Sequence, residues 1–489
     1  MSYTDLLTQF VSITKPTQFT PDANSEFSHS IVTTGPPVTE RARKVFGEKA
    51  TAARGEIQRL LDRGVIRPSN SAWASPIHLT KKKDSTYRLC GDYRKLNSIT
   101  VPDKYAPPLI QSLFLVVHGR SIFSTIDLER AYHQIPVNSD SIAKTAITTP
   151  WGLYEYVGMP FGLKNATQTF QRYIDYIFRG LDFVFIYIDD IIVMPENEAQ
   201  HRNHLQQVFQ RLANHKLSIN VSKCNFGKKE VSFLGYRINS EGFHPNPERV
   251  RAIDDYPLPS TVIELRKFLG MFNYYHPCVM NAAQLQLPLT GYLKNSKKND
   301  KTPIDWTDDA RSAFQACKEA LSSVTLTNYP APDAPFRLTT DASTNAIGAT
   351  LEQRQNGEWR PIGFFSRKLT ETETRYSTYD GELLAIFAAV KYFKHLVEGR
   401  QFTIGTDHKP LTYSFRQKLG KASDRQLRQL DYISQFTTDV VYIKGEDNIV
   451  ADTFSRINTI NMPIILDLHT IQRHQKDEEE QWHRVRDSV

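Results

Sequence analysis

The chain has 489 residues, 40% hydrophobic and 23% charged, enough for about two to four cored domains and too apolar for a disordered chain. Its net charge of +7 is a mild excess, compatible with a polyanionic partner without requiring one. Cys90, Cys224, Cys278 and Cys317 lie far apart with no CxxC pair, which argues against a disulfide framework or a structural zinc site and fits a reducing compartment. The opening "MSYTDLLTQFVSITKP" has no basic stretch leading into an apolar core, so no signal peptide is expected. No apolar run approaches the roughly 18 residues of a membrane span, and a soluble intracellular chain is the expectation.

In chain order, residues 1–45 are Thr/Pro/Ser-rich with little periodicity and read as an extended N-terminal arm. "VFGEKATAARGEIQRLLDRGVI" predicts a helix, after which strands ("PIHLT", "SIFSTIDL") alternate with helices to residue 246. In "NATQTFQRYIDYIF", Ala166, Phe170, Tyr173, Ile174 and Ile177 share one helical face. "FVFIYIDDIIVM", Phe183 to Met194, has two short β-branched and aromatic arms around a polar tip, the pattern of strand, turn, strand. Residues 247–330 are predominantly helical and carry the polar loop "KNSKKNDK". From 331 to 457 the α/β pattern returns with strands "FRLTTDAS", "IGATLEQ" and "PIGFFSRKL", then the helix "GELLAIFAAVKYFKHLV". Strand "FTIGTDHKPL", helix "DRQLRQLDYISQF", strand "DVVYIKG" and a helix from Asn448 complete that domain, and 458–489 form a charged tail. No internal repeat, GxxxxGK[ST] or GxGxxG occurs.

The acidic residues carry the chemistry. Asp189 and Asp190 are adjacent at the tip of an apolar hairpin, where two carboxylates repel by about 4 kcal/mol at an effective dielectric near 20. Protonation, a solvent-facing turn or a bound cation each relieves that repulsion, and "IDDI" alone leaves all three open. Asp127 ends another apolar strand, "IFSTID", so three carboxylates converge if the two strands are neighbours. Oxygen-only ligands favour Mg²⁺ or Mn²⁺ over zinc, and two such ions suit phosphoryl displacement. A second set sits at element ends in the C-terminal domain. Asp341 ends "FRLTTD", Glu382 opens a long helix, Asp407 ends "FTIGTD", and Asp452 lies early in a helix that Asn448 can cap.

"YIDD" (Tyr187 to Asp190), "STIDLERAYHQIPV", "TAITTPWGLYEYVGMPFGLKNATQTFQRYID" and "KKKDSTYRLCGDYRKLNSIT" resemble the reverse transcriptase of gypsy-type long-terminal-repeat retrotransposons. "TDAS", "GELLAI", "TDHKPL" and "NIVADTFSR" resemble the ribonuclease H domain of the same Pol polyproteins. The resemblance implies an α/β (α+β) chain. Its right-hand polymerase fold has fingers and palm over 46–246, thumb and connection helices over 247–330, and an RNase H-like domain over 331–457. It further implies RNA-directed DNA polymerase activity, with hydrolysis of the RNA strand of RNA–DNA hybrids. Asp127, Asp189 and Asp190 would hold two Mg²⁺ (or Mn²⁺) ions, as would Asp341, Glu382, Asp407 and Asp452 in the second site. Lys82 and Arg88 would meet the phosphates of a deoxynucleoside triphosphate, and Tyr132 would stand where a bulky ring blocks a ribose 2′-hydroxyl. Phe161, Gly162 and Tyr187 would complete the nucleotide site, and "FLGY" (233–236) resembles the primer-gripping hairpin. The implied partners are RNA template, DNA primer, RNA–DNA hybrid and nucleotides, with no membrane. The implied location is the cytoplasm, within retroelement particles, with access to the nucleus.

Some positions depart from the family. "DKYAPPLI" stands in place of a "DRYPIPHI"-like stretch, "NYYHPCVMNAA" replaces a more basic one, and Phe454 stands where leucine is usual. No histidine lies between Phe436 and Asp452, where many ribonucleases H carry one, so either His408, beside Asp407, takes part in proton transfer or the shuttle is absent. Without a protease motif or an integrase pattern, the stretch is expected to be the middle of a longer polyprotein. Two other readings remain: a domesticated or decayed copy that binds nucleic acid without polymerising, and a nuclease alone.

Overall fold

The computed structural model describes residues 3–15, 27–81, 86–294, 296–297, 299–324, 327–415 and 422–443. The chain forms two compact units, the first comprising Met1–Phe336, Leu351–Phe364 and Phe393–Arg400, the second Arg337–Thr350, Phe365–Tyr392 and Gln401–Val489.

The centre of the first unit is a four-stranded sheet in the order Val184–Tyr187, Asp190–Val193, Phe123–Asp127, Asn225–Lys228. Its apolar residues alternate between two cores, as the two-residue period of a strand demands. Ile126, Ile186, Ile191 and Val193 enter one core, and Phe123, Phe185, Ile192 and Met194 enter the other. Ile191, Ile192, Val193 and Met194 are fully buried, each contributing about 1.5–3 kcal/mol relative to exposure. That two-sided burial fixes the register, because a one-residue slip would exchange every side chain between the cores.

The helix Ala166–Ile177 lays the face predicted from its spacing into the first core: Ala166, Phe170, Tyr173, Ile174 and Ile177 are all buried. Beyond it lies a five-stranded sheet, Ile66–Pro68, Gly152–Tyr156, Ile147–Thr149, Ser75–Lys81, Tyr87–Gly91. A three-stranded meander, Val231–Phe233, Tyr236–Ile238 and Phe243–Pro245, packs with helices Pro247–Asp254, Val262–Tyr274 and Asp308–Ser322 around the second core.

The extended arm expected over residues 1–45 is corrected in part. Tyr3–Gln9 and Val11–Thr14 are helical, with Leu6 and Ile13 buried in the first core. Leu6, Phe10 and Ile13 do recur at helical spacing, but pieces of seven and four residues are too short to be helical alone, and tertiary burial rather than propensity makes the helices. Residues 27–45 are extended, but bridges His29 to Val137, Thr33 to Thr100 and Thr39 to Ala74 make them part of the fold.

The C-terminal part of the chain carries a five-stranded sheet in the order Glu358–Lys368, Ala346–Gln355, Phe336–Ala342, Phe402–Thr406, Val440–Tyr442, the last two parallel. Leu338, Thr339, Thr340 and Asp341 are all buried, so both faces of the strand Phe336–Ala342 are covered. The helix Thr378–Val397 begins four residues before Glu382, placing that residue inside its first turns rather than at its opening. Asp452, its predicted helix and the tail 458–489 lie outside the described residues. All four cysteines are free thiols, and no helix among the described residues is long and apolar enough to cross a membrane.

If residues 3–14 belong to the core, Ile13→Ala lowers unfolding stability by about 2–5 kcal/mol, the range for emptying a fully buried aliphatic site. A urea titration of the first unit's unfolding measures this. An unchanged midpoint would return the segment to the status of an arm.

Candidate functional site

The first cluster follows directly from strand register. Asp127 and Asp190 are cross-strand partners in the antiparallel pair, and Asp190 is also opposite Tyr187 across the hairpin. Strand order therefore brings Asp127 to the pair Asp189–Asp190, although more than sixty positions separate them in sequence. Burial, then the charges of Asp189 and Asp127, push the Asp190 carboxyl up to about 6, with Lys223 pulling the other way. The Asp190 side chain is open to solvent, so water screens part of this repulsion. Burial likewise raises Asp127, while the Lys223 ammonium, 3.5 Å from its Oδ2, favours the ionised form without reversing the shift. Lys223 escaped sequence reasoning because it lies on a short helical turn far along the chain.

Around this cluster the structure collects most of the residues predicted for nucleotide binding. The Tyr132 ring packs 5.0 Å from Phe161 and 5.3 Å from Phe170, and its hydroxyl pairs with the Thr167 hydroxyl at 3.2 Å. Burial raises the Tyr132 phenol, and the nearby Asp189 charge adds to it. The Arg88 guanidinium, on the exposed side of the strand Tyr87–Gly91, lies 5.4 Å over the Phe161 ring. Gly162 has φ of +94°, and an added Cβ would meet the Gly91 carbonyl oxygen at 3.4 Å, so the turn at "PFGL" needs glycine. Lys82 lies outside the described residues.

The hairpin tip Leu234–Gly235 has left-handed backbone at both residues, φ 46° and 78°. Two hydroxyls from the end of the helix Val262–Tyr274 and its cap secure it. Tyr274 donates to the Leu234 carbonyl, and Tyr275 donates to the Gly235 carbonyl at 2.9 Å. Burial, then Tyr187, raise the Tyr274 phenol, and Asp190 adds to the shift, so this ring lies within electrostatic reach of the first cluster. Both tyrosines stand in "NYYHPCVMNAA", a stretch that sequence comparison marks only for its lost basic residues.

In the second unit, Asp341, Glu382 and Asp407 each present a carboxylate oxygen, and these oxygens lie within 4.8 Å of one another. Among the described residues this is the one such group of three ligand-type side chains. Asp341 comes from a strand, Glu382 from a helix, and Asp407 directly follows the strand Phe402–Thr406. Asp341 and Glu382 are 6% and 4% exposed, so little water reaches them. Glu382 Oε1 accepts the Ala342 N–H at 3.1 Å, whereas its buried Oε2 has no hydrogen-bond partner among the described residues. An ionised carboxylate with one oxygen left unbonded beside two like charges is costly, and a divalent cation removes both costs. The donor set, all oxygen, fits Mg²⁺ or Mn²⁺. His408 follows Asp407, its ring centre 5.9 Å from that of Tyr379.

Burial, then Asp341 and Asp407, push Glu382 from its ordinary 4.5 up to about 9. Between those values the native state retains a proton that the unfolded state has lost, so cation-free stability falls as pH rises from about 4.5 towards 9. In chelator, the melting temperature of the second unit is expected to drop across this window, and Glu382→Gln should flatten the drop. Calorimetry at several pH values tests this, and parallel curves for the two proteins would contradict it.

Residues 80–238 match the family model "Reverse transcriptase (RNA-dependent DNA polymerase)", and residues 306–404 match "RNase H-like domain found in reverse transcriptase". The chain is 41% identical over 411 residues to the retrovirus-related Pol polyprotein from transposon 297 of Drosophila melanogaster, covering 82% of this chain and 38% of the relative. To the Pol polyprotein from transposon gypsy of the same organism it is 35% identical over 438 residues, 86% of this chain and 42% of the relative. The chain thus spans about two fifths of the length of these curated relatives. Among solved structures, a foamy viral protease-reverse transcriptase in complex with RNA/DNA hybrid matches with a TM-score of 0.77 and 21% identity, over 93% of this chain and 61% of that one. A second, in complex with double-stranded DNA, matches with a TM-score of 0.78 and 21% identity, over 90% and 77%. These likenesses give the fold, that of the right-hand polymerases. With both domains and the Pol relatives together, the chain belongs to the reverse transcriptase and ribonuclease H region of the gypsy-type retrotransposon Pol polyproteins.

Proposed function

We propose that this chain is an RNA-directed DNA polymerase that also hydrolyses the RNA strand of RNA–DNA hybrids. The observation that carries the reading is the Asp127–Asp190 register, which sets these two residues opposite one another at a strand end, next to Asp189, whose charge reaches Tyr132 in the Tyr132–Phe161–Arg88 stack. Its substrates are a primed RNA template and deoxynucleoside triphosphates. The relatives' kinship, the mild positive charge and the neighbours' complexes with nucleic acid support that choice.

Asp127, Asp189 and Asp190 are the groups that hold divalent ions in the polymerase site; Asp341, Glu382 and Asp407 do so in the nuclease site, joined by Asp452. When bound, two Mg²⁺ or Mn²⁺ ions per site lower the pKa of the attacking hydroxyl or water and neutralise charge on the phosphate. The protein's own part is to orient and to exclude. Arg88, with Lys82, faces the phosphates as they gain charge. Tyr132 is held by Phe161, Phe170 and Thr167, so it is a rigid wall against the sugar and discriminates against a 2′-hydroxyl. The glycine at 162 leaves backbone free to approach the nucleotide and template. Phe161 and Tyr187 complete the nucleotide site, and the tip Leu234–Gly235, fixed by Tyr274 and Tyr275, grips the primer. In the nuclease site, the hybrid's A-form shape and 2′-hydroxyls identify the strand to be cut. The proposed location is cytoplasmic, within retroelement particles.

The two sites belong to separate units, so their losses separate. Asp190→Asn should reduce primer extension by about a hundredfold or more, the scale of removing one electrostatic contact to a reacting phosphate, with hybrid cleavage retained. Asp341→Asn should do the reverse. Extension and cleavage assays on the two purified variants decide it: extension surviving in Asp190→Asn refutes the polymerase assignment. Primed-template binding with no incorporation by the unmodified chain would instead favour a decayed copy.

A further inference from the structure

The hairpin that carries Asp189 and Asp190 turns in two residues, Ile188 and Asp189, between the paired Tyr187 and Asp190. Two-residue hairpin turns need positive φ at their first central position, where glycine or asparagine is favoured. Here that residue is Ile188, with φ of 58°. Six non-glycine residues have positive φ among the described residues, and Ile188 is the β-branched one. For a β-branched side chain this conformation is an outlier costing roughly 1–3 kcal/mol, so neighbouring structure must enforce it.

The enforcing group lies on the helix Ala166–Ile177. Gln171 is fully buried, an expensive place for an amide unless both ends are bonded. Both are: Oε1 accepts the Ile188 N–H at 2.7 Å, and Nε2 donates to Asp175 Oδ1 at 2.8 Å. The other oxygen of Asp175 accepts the Tyr105 hydroxyl. Tyr105 is itself fixed, since its N–H bonds Asp103 at 2.9 Å and its ring lies 4.7 Å from the Arg172 guanidinium, which pairs with Asp103. Each link thus locks the next, from a surface segment to the peptide beside the carboxylate pair.

We propose that Gln171 is a positioning residue for the polymerase site. Oriented by Asp175 and Tyr105, its amide holds the left-handed Ile188 peptide and so sets how Asp189 and Asp190 meet Asp127. This rests on the polymerase reading above for its kinetic consequence, but not for its structural one. It also gives a role to Tyr105 in "DKYAPPLI", which sequence comparison marks only as divergent.

The test uses the full chain and two readouts. Hydrogen–deuterium exchange resolved at Ile188 should show a protected amide that becomes labile in Gln171→Met, while Ile191 and Ile192 stay protected. An Ile188 amide already labile in the unmodified chain, or unchanged in the variant, overturns the proposal whether or not the chain polymerises. In primer extension, Gln171→Met should lower kcat about ten- to a hundredfold, the cost of a carboxylate misplaced by about an ångström, with hybrid cleavage unchanged. The KM for nucleotide should stay within about twofold, since substrate contacts are untouched. Tyr105→Phe, a milder change, should move kcat in the same direction. Ile188→Gly placed in the Gln171→Met background should recover much of kcat, because glycine takes the left-handed turn unaided. A folded double variant with no recovery, or Gln171→Met with unmodified kcat, contradicts the assignment.

Discussion

Like charges held close on rigid supports are the constraint from which the rest of this molecule follows. Asp127 and Asp190 cannot move apart without breaking the register of a sheet whose two faces are packed into separate cores. Asp341 and Glu382 are held by a strand covered on both faces and by a long helix. Folding free energy, drawn from buried Ile, Val, Phe and Met, keeps these carboxylates nearer than they would choose. Such stored repulsion would favour a divalent cation placed among them, and it costs stability where no cation screens it.

The two clusters solve the same problem with different dielectric surroundings. The first cluster sits at an open hairpin, is partly screened by water, and has an internal cation in Lys223. Its shifts are moderate, with Asp190 near 6. In the second cluster Asp407 is exposed, but Asp341 and Glu382 are buried, and Glu382 is pushed to about 9 with one oxygen unbonded among the described residues. In both clusters burial is the largest cause of the shift and neighbouring carboxylates add to it; in the first, Lys223 opposes it.

Much of this was legible in the sequence because the signals are periodic. Two apolar arms around "IDD" read as a hairpin, and the helical spacing of Phe170, Tyr173, Ile174 and Ile177 names the buried face. Asp341, Glu382 and Asp407 all sit at or near element ends, where boundaries are easiest to read. What sequence did not yield depends on contacts across the chain. Leu6 and Ile13 make helices only because a core receives them. Gln171 on a helix reads as polar and therefore outward, yet it is buried because Ile188 and Asp175 satisfy it. Tyr274 and Tyr275 reach back about forty positions to a turn that no local pattern links to them. Lys82 and Asp452 lie outside the described residues, so their predicted roles rest on resemblance.

The most direct measurement is of the cations themselves. Mn²⁺ titrated into the folded chain and followed by electron paramagnetic resonance should reveal bound ions in both clusters. Asp190→Asn should remove those of one cluster and Asp341→Asn those of the other. If the folded protein binds no Mn²⁺ at either place at concentrations that saturate ordinary carboxylate sites, crowding of these acids serves no cation and the account is wrong.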